Sequence, residues 1–432
     1  MIFIIKFIKK LFNKADSDLQ HSGKIVSQKQ HHIKISNISI NAINVLKHLN
    51  RAGFQAYLVG GSVRDLLLDK IPKDFDIATN ATPAQMRKLF RNARIIGKRF
   101  KLVHIIFYNE IVEVATFRGN EASSTNQKVN ERGMIVRDNV YGTMTEDAWR
   151  RDFSINAIYY NIANATLVDF ADGMRDIQQR VIRLIGDPQM RYQEDPVRML
   201  RAVRFAAKLN FTIEIATADA IYAMKHLLNH ISEARLFDEV TKLYYCGAVH
   251  GAYNLLLKYE LFAHLFEQTY IIMHSSKYPV EKFLNLAMQN TDLRIKQNKK
   301  VTIAFLFAIL LWFPVKNLIK QLNKKHPLSV AIEQAINEVI ATQNLVIIIP
   351  KRVTQIIRDI WLLQFRFSKR SGEKAYILLQ HVRFRAAYDF LMFRSLVNDV
   401  NVELFNWWST FQKVGVTDQD AMIKLFSKNR VV

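Results

Sequence analysis

The stretch Leu58-Val59-Gly60-Gly61-Ser62-Val63-Arg64-Asp65, followed shortly by Lys73-Asp74-Phe75-Asp76, decides how this chain folds. A short strand over residues 56–59 runs into the Gly60-Gly61 turn, and a helix is expected beyond it through residue 68. Such a turn lets backbone N–H groups approach a ligand and leaves a helix start open to an anion. Arg64, one turn in, can add a direct charge to a triphosphate. The plainer alternative is an Arg64–Asp65 pair that closes a tight connection. Residues i and i+2 of a strand face the same way, so Asp74 and Asp76, at a strand expected over 75–78, present two carboxylates side by side. Two like charges that close are unfavourable without a cation between them, and Mg²⁺ suits two oxygen ligands. A pair of such ions can activate an attacking hydroxyl and stabilise a departing pyrophosphate. An Asp-x-Asp alone is common in solvated turns; the Gly-Gly turn ahead of it is what gives it weight.

A third carboxylate should come from a neighbouring segment. Glu113 lies in the apolar strand pattern Ile111-Val112-Glu113-Val114-Ala115-Thr116-Phe117, with Arg118 at its end as a further nucleotide-binding candidate. Asp152 lies in Arg150-Arg151-Asp152-Phe153-Ser154-Ile155-Asn156-Ala157. There Arg151 and Asn156 suit a triphosphate and a ribose hydroxyl. Glu113 and Asp152 both stay open as the acid that completes the metal site. Further on, Glu194-Asp195-Pro196-Val197-Arg198 opens a helix, with Asp195 as N-cap and Pro196 as first helical residue. Arg198, Arg201, Arg204 and Lys208 share one side of it, and Met199, Val203 and Ala206 another. Asp195 and Arg198, one turn apart, match the acceptor and donor edge of a base.

Outward from these motifs, strands are expected at 56–59, 75–78, 104–107 and 111–117, with helices before and between them, which argues for a mixed α/β unit. Residues 120–132 read as a polar loop and 15–35 as a linker. Beyond residue 184 the strand signals fade and helical periodicity takes over, giving an α+β chain of two to four packed units. Residues 301–313 are apolar but closed by Pro314, too short for a membrane span and better read as a buried helix. Residues 1–14 form a basic amphipathic pattern, suited either to a membrane surface or to packing on the protein. No signal-peptide pattern is seen, so a cytoplasmic location is expected.

The 432 residues carry 61 Lys and Arg against 38 Asp and Glu, a formal net charge of +23. That excess points to a polyanionic partner, although an acidic membrane would also account for it. One cysteine, Cys246, excludes an intrachain disulfide and a Cys-rich zinc site.

The quoted motifs, in order and spacing, resemble the class II nucleotidyltransferases, which comprise bacterial poly(A) polymerases and tRNA CCA-adding enzymes. Ile95-Ile96-Gly97-Lys98-Arg99-Phe100-Lys101-Leu102-Val103-His104-Ile105, Ala234-Arg235-Leu236-Phe237-Asp238-Glu239 and Ile349-Pro350-Lys351-Arg352 look closer to the poly(A) polymerase branch. The resemblance covers residues 35–411. It implies a polymerase-β-like palm at 36–184 after an extension at 1–35. It implies also an all-helical C-terminal region, with a base-selecting neck at 185–275 and a body and leg at 276–432 that hold RNA. By the same resemblance Asp74 and Asp76 are metal ligands, Asp152 is a further active-site acid, ATP is the substrate, Mg²⁺ the cofactor and an RNA 3′ hydroxyl the nucleophile. Two departures stand out: Ser154 occupies a position where Thr is common, and the family's long Arg/Lys-rich tail is not seen, so RNA affinity is expected to rest on the folded surface. Between 351 and 394, Arg352, Arg358, Arg366, Lys369, Arg370, Arg383, Arg385 and Arg394 interleave with Trp361, Phe365, Phe384 and Tyr388. This mixture suits single-stranded RNA, with most rings expected in the core and most arginines outside. The competing functions are a tRNA CCA-adding enzyme and an RNA-binding protein without catalysis.

Overall fold

The computed structural model describes residues 23–97, 101–119, 128–129, 135–137 and 140–428. The amphipathic stretch 1–14, residues 98–100 and most of the loop 120–132 lie outside the described residues. The first ten strands in chain order are β1 (Lys24–Val26), β2 (Ala56–Val59), β3 (Asp76–Thr79), β4 (Ala93–Ile96), β5 (Leu102–Ile106), β6 (Ile111–Thr116), β7 (Lys128–Val129), β8 (Ile135–Arg137), β9 (Ile158–Asn161) and β10 (Thr166–Asp169). Among the described residues, eight of these form one sheet in the order β1-β10-β9-β2-β3-β6-β5-β4. Neighbours run antiparallel except β3 and β6, which are parallel. A parallel pair needs a crossover, and the Pro83–Leu89 helix with the β4–β5 hairpin supplies it.

Alternation along the strands separates core from site. In β6, Val112 and Val114 are fully buried while Glu113 between them is partly exposed. The register carries one row across all eight strands: Arg94, His104, Glu113, Asp76, Val59, Tyr159, Val168 and Ile25. Three of the middle members are two acids and a tyrosine.

The chain divides into two compact units. The first runs to Arg198 and takes in Asn210–Met224; the second is Met199–Leu209 with Lys225–Val432. This division differs from the boundaries expected at 184 and 275. The cause is local: Val181 and Ile182 pair in parallel with Thr212 and Ile213, and the Leu184 N–H donates to the Thr217 hydroxyl at 3.2 Å. Residues 210–224 are thereby tied to the unit that carries the large sheet. The linker reading of 15–35 is corrected too, because Lys24–Val26 pairs with β10 as an edge strand. Within the expected loop at 120–132, Lys128–Val129 pairs with Ile135–Arg137.

The second unit is helical throughout its described length, as expected. Its apolar segment extends beyond the predicted stop at Pro314 as a 20-residue helix, Ile303–Leu322. Proline removes one helical N–H and leaves the carbonyl four residues back without its partner. That carbonyl belongs to Leu310, and the buried Thr269 hydroxyl donates to it at 2.7 Å. By length and composition the helix is apolar enough to cross a membrane, yet 67% of its apolar window is buried inside the protein.

Candidate active site

The turn at the end of β2 places the site. Gly60 has φ 77° and ψ −138°, a conformation that side chains disfavour, so the glycine is required there. The Ser62 hydroxyl donates to the Val59 carbonyl at 3.0 Å and fixes the short Gly61–Leu67 helix behind it. Asp76 opens β3 with Val59 in register on one side and Glu113 on the other. A β-carbon on Gly60 would lie 3.6 Å from both Asp76 Oδ2 and Arg151 Nη1, so these two groups flank the turn.

Asp74 lies two residues ahead of β3 and is exposed, rather than on the strand as expected. Its effect on Asp76 is through charge. Burial, then Glu113, then Asp74 push the Asp76 carboxyl up to about 6, against the opposing pull of Arg151. Glu113 also meets His104, whose Nε2 is 3.0 Å from Glu113 Oε1. The register places Glu113 beside Asp76.

Arg151 is held from behind. Its Nη2 donates to Asp147 Oδ2 at 3.0 Å, and its Nε to the same oxygen at 3.3 Å and to the Tyr159 hydroxyl at 3.1 Å. Tyr159 donates in turn to Asp147 at 2.5 Å, and the Arg118 backbone N–H donates to the other Asp147 oxygen at 3.1 Å. Burial pushes the Asp147 carboxyl up, but Arg151, Tyr159 and the Arg118 N–H outweigh it and hold the group below its usual value. Burial pushes the Tyr159 hydroxyl well above its ordinary range, so it stays protonated. Sequence reasoning missed Asp147, Tyr159 and His104. The one available signal was the helical i,i+4 spacing of Asp147 and Arg151.

The remaining candidates form a second cluster. Arg64 is 3% exposed and donates to Asn156 Oδ1 at 2.8 Å and to Asp65 at 2.6 and 2.9 Å. The plainer expectation, Arg64 paired with Asp65, is the one found; the guanidinium braces the turn from within. Asn156 passes the link on, donating to Asp152 Oδ1 at 3.2 Å, an oxygen that also accepts the Phe153 N–H at 2.8 Å. Arg191, not foreseen, donates to the carbonyls of Arg150 and Arg151 at 2.8 and 2.7 Å and to Glu194 at 2.7 Å. Burial, then the charge of Arg198, pull its pKa down to about 10, against Glu194 and Asp152. Arg198 donates to Glu194 at 2.9 Å and to the Arg191 carbonyl at 2.7 Å. Asp195 is the C-cap of the Pro188–Glu194 helix, and the next helix begins at Val197. The two residues still stand one turn apart, with the Arg198 N–H on the Asp195 carbonyl at 3.0 Å.

Among the described residues, no group of three or more His, Cys, Asp or Glu side chains is gathered to hold a metal. Mg²⁺ asks for less, since one or two carboxylates plus substrate phosphates and water complete its shell. Asp76, with its raised pKa beside Glu113 and Asp74, is a hard-oxygen donor set short of positive charge. Those residues fit the ion.

In the second unit, Trp361, Phe384 and Tyr388 are buried, as expected of core rings. The arginines depart from expectation. Arg352, Arg366, Lys369 and Arg385 are exposed, but Arg358, Arg370, Arg383 and Arg394 are partly buried. Arg394 donates to Asp399 at 2.7 Å, a carboxylate that also accepts from the Trp312 indole at 3.1 Å and from Lys316. That is a structural centre.

Three family models match the chain: the poly A polymerase head domain over residues 56–183, the probable RNA and SrmB-binding site of polymerase A over 210–272, and the polymerase A arginine-rich C-terminus over 324–430. Poly(A) polymerase I of Escherichia coli O6:H1 is 44% identical over 435 residues, covering 97% of this chain and 93% of the relative. The CCA-adding enzyme of Lactobacillus helveticus is 39% identical, but over 49% of this chain and 51% of its own length. Among solved structures, the Bacillus stearothermophilus CCA-adding enzyme in complex with CTP is similar, with a TM-score of 0.58 and 25% identity over 85% of this chain and 80% of that one.

Proposed function

The chain belongs to the bacterial poly(A) polymerase I family, and from that premise we propose how its residues add adenylate to RNA 3′ ends. The reaction of a polynucleotide adenylyltransferase transfers AMP from ATP, without a template. The RNA 3′ hydroxyl oxygen forms a bond to the α-phosphorus, the bond to the bridging oxygen breaks, pyrophosphate leaves, and the hydroxyl proton is released. Asp74 and Asp76 would hold Mg²⁺, with Glu113 beside them. The metal supplies charge neutralisation and an acidified hydroxyl when bound. Arg151, fixed by Asp147 and Tyr159, faces the Gly60 turn and meets the triphosphate. The Asn156–Asp152 pair stands one hydrogen bond from Arg64 and serves the ribose, while Asp195 and Arg198 read the base. Action in the cytoplasm, with a membrane contact through residues 1–14, completes the proposal.

One observation carries this reading: Asp76 and Glu113 share a register row, and Asp76 Oδ2 and Arg151 Nη1 each lie 3.6 Å from where a β-carbon on Gly60 would stand. Supplying each NTP separately with an RNA primer tests it. Long tails are expected with ATP alone. CMP addition to a tRNA lacking its end, halting after two residues, would establish the CCA-adding alternative instead. Undiminished AMP incorporation by an Asp74→Ala/Asp76→Ala double variant would move the site elsewhere.

A further inference from the structure

His104 belongs to the stretch 95–105 that looks closer to the poly(A) polymerase branch, yet none of the transfer steps uses it. It stands in the middle of β5, between the fully buried Val103 and Ile105, with its imidazole on the opposite face and 21% exposed. Leu102 and Ile106 share that face, so His104 is the one polar side chain that β5 presents there. Antiparallel pairing sets it directly across from Glu113, and parallel pairing sets Glu113 across from Asp76. Neighbouring strands lie about 4.8 Å apart, so Glu113 has an imidazole on one side and a carboxylate on the other. Glu113 Oε1 is 3.0 Å from His104 Nε2. An ionised carboxylate only accepts, so Nε2 carries the proton whether the ring is neutral or charged. The second Glu113 oxygen has no hydrogen-bond partner among the described residues.

This contact answers a conflict built into the row. The Glu113 side chain is 45% exposed, and a long acidic side chain at a surface samples many rotamers. The like charge of Asp76 beside it favours those that turn away. The His104 donor selects against them, because it holds one oxygen of Glu113 on the neighbouring strand. A cross-strand pair of this kind elsewhere would only strengthen the sheet. Here its acid is also the next residue in register to Asp76.

We propose that His104 is a positioning residue for nucleotidyl transfer: by holding one oxygen of Glu113 it leaves the other to join Asp76 on the metal. The inference rests on the reading above, in which these acids hold Mg²⁺. Mn²⁺ titrated into the full chain without nucleotide, with the free ion read by electron paramagnetic resonance, gives a measure independent of turnover. His104→Leu and His104→Val both remove the donor and keep an apolar body on the strand, so one carries the measurement if the other fails to fold. His104→Gln restores an N–H near the place of Nε2. The leucine and valine variants should bind Mn²⁺ about tenfold more weakly and lower kcat about tenfold, with KM for RNA unmoved. His104→Gln should recover most of both losses. In a Glu113→Gln background His104→Leu should cost nothing further, because the imidazole acts through that acid. A pair that only braces the sheet would lower the unfolding midpoint and leave Mn²⁺ affinity intact, with losses that add in the Glu113→Gln background. Unchanged Mn²⁺ affinity, or additive losses, would overturn the proposal. Absence of AMP incorporation by the parent chain would overturn the function, while Mn²⁺ binding still reports on His104.

Discussion

At Asp76, burial and two neighbouring acids work against the ionised form. Its folded pKa, about 6, lies above the ordinary carboxylate value, so the folded chain holds a proton that the unfolded chain gives up. The cost is absent near pH 4, grows as pH rises towards 6 and persists above it. In metal-free protein, Asp76→Asn should therefore raise stability at pH 8 by on the order of 1–2 kcal/mol, with the gain vanishing near pH 4. Denaturant unfolding at both pH values checks this, and the variant should be inactive. Arg151 poses the converse case, since its guanidinium is held by Asp147 and Tyr159. Asp147→Asn should raise KM for ATP about tenfold while KM for RNA moves little, corresponding to the loss of one charge-assisted contact. Tyr159→Phe should do the same to a smaller extent, and steady-state kinetics with each substrate varied would show it. Of these residues the sequence disclosed Asp76, Glu113 and Arg151, because each sits in a short motif. Asp147 and Tyr159 stayed hidden because their role arises where a helix packs against a strand.

Among the elements, legibility followed local pattern. Strands β2, β3, β5 and β6 were expected within one or two residues, since apolar runs bounded by turns mark them out. Strand β1 was not, because three residues among polar neighbours carry no signal and its partner β10 is far along the chain. Strand β9 escaped notice for a related reason: its continuous Ile158-Tyr159-Tyr160 run shows no alternation when both faces are buried. The helix Ile303–Leu322 was cut short at Pro314, where a rule about proline met a tertiary exception. The Thr269 hydroxyl on the Leu310 carbonyl is that exception. Thr269→Val, nearly equal in volume, should lower stability by about 1–3 kcal/mol by leaving a buried carbonyl unsatisfied. A shift in the unfolding midpoint without change in AMP incorporation at low temperature is the expected outcome.

Over the whole molecule, the net charge of +23 was the earliest clue to a polyanionic partner. It predicts that affinity for long RNA falls at least about tenfold between 50 and 200 mM salt, with kcat at saturating RNA much less affected. Activity measured against salt at fixed and at saturating RNA separates the two. The division into units was not legible, because residues 210–224 return to the first unit through a two-residue strand pairing. The row from Arg94 to Ile25 has a consequence for the making of the protein. On the ribosome, Asp76 and Glu113 emerge well before Tyr159, and β1 emerges first of all yet pairs with β10, the last strand of the sheet to be translated. A nascent chain therefore carries its acids with neither the tyrosine that steadies Arg151 nor a closed sheet edge. The sheet that carries this row is complete only once synthesis has passed Asp169.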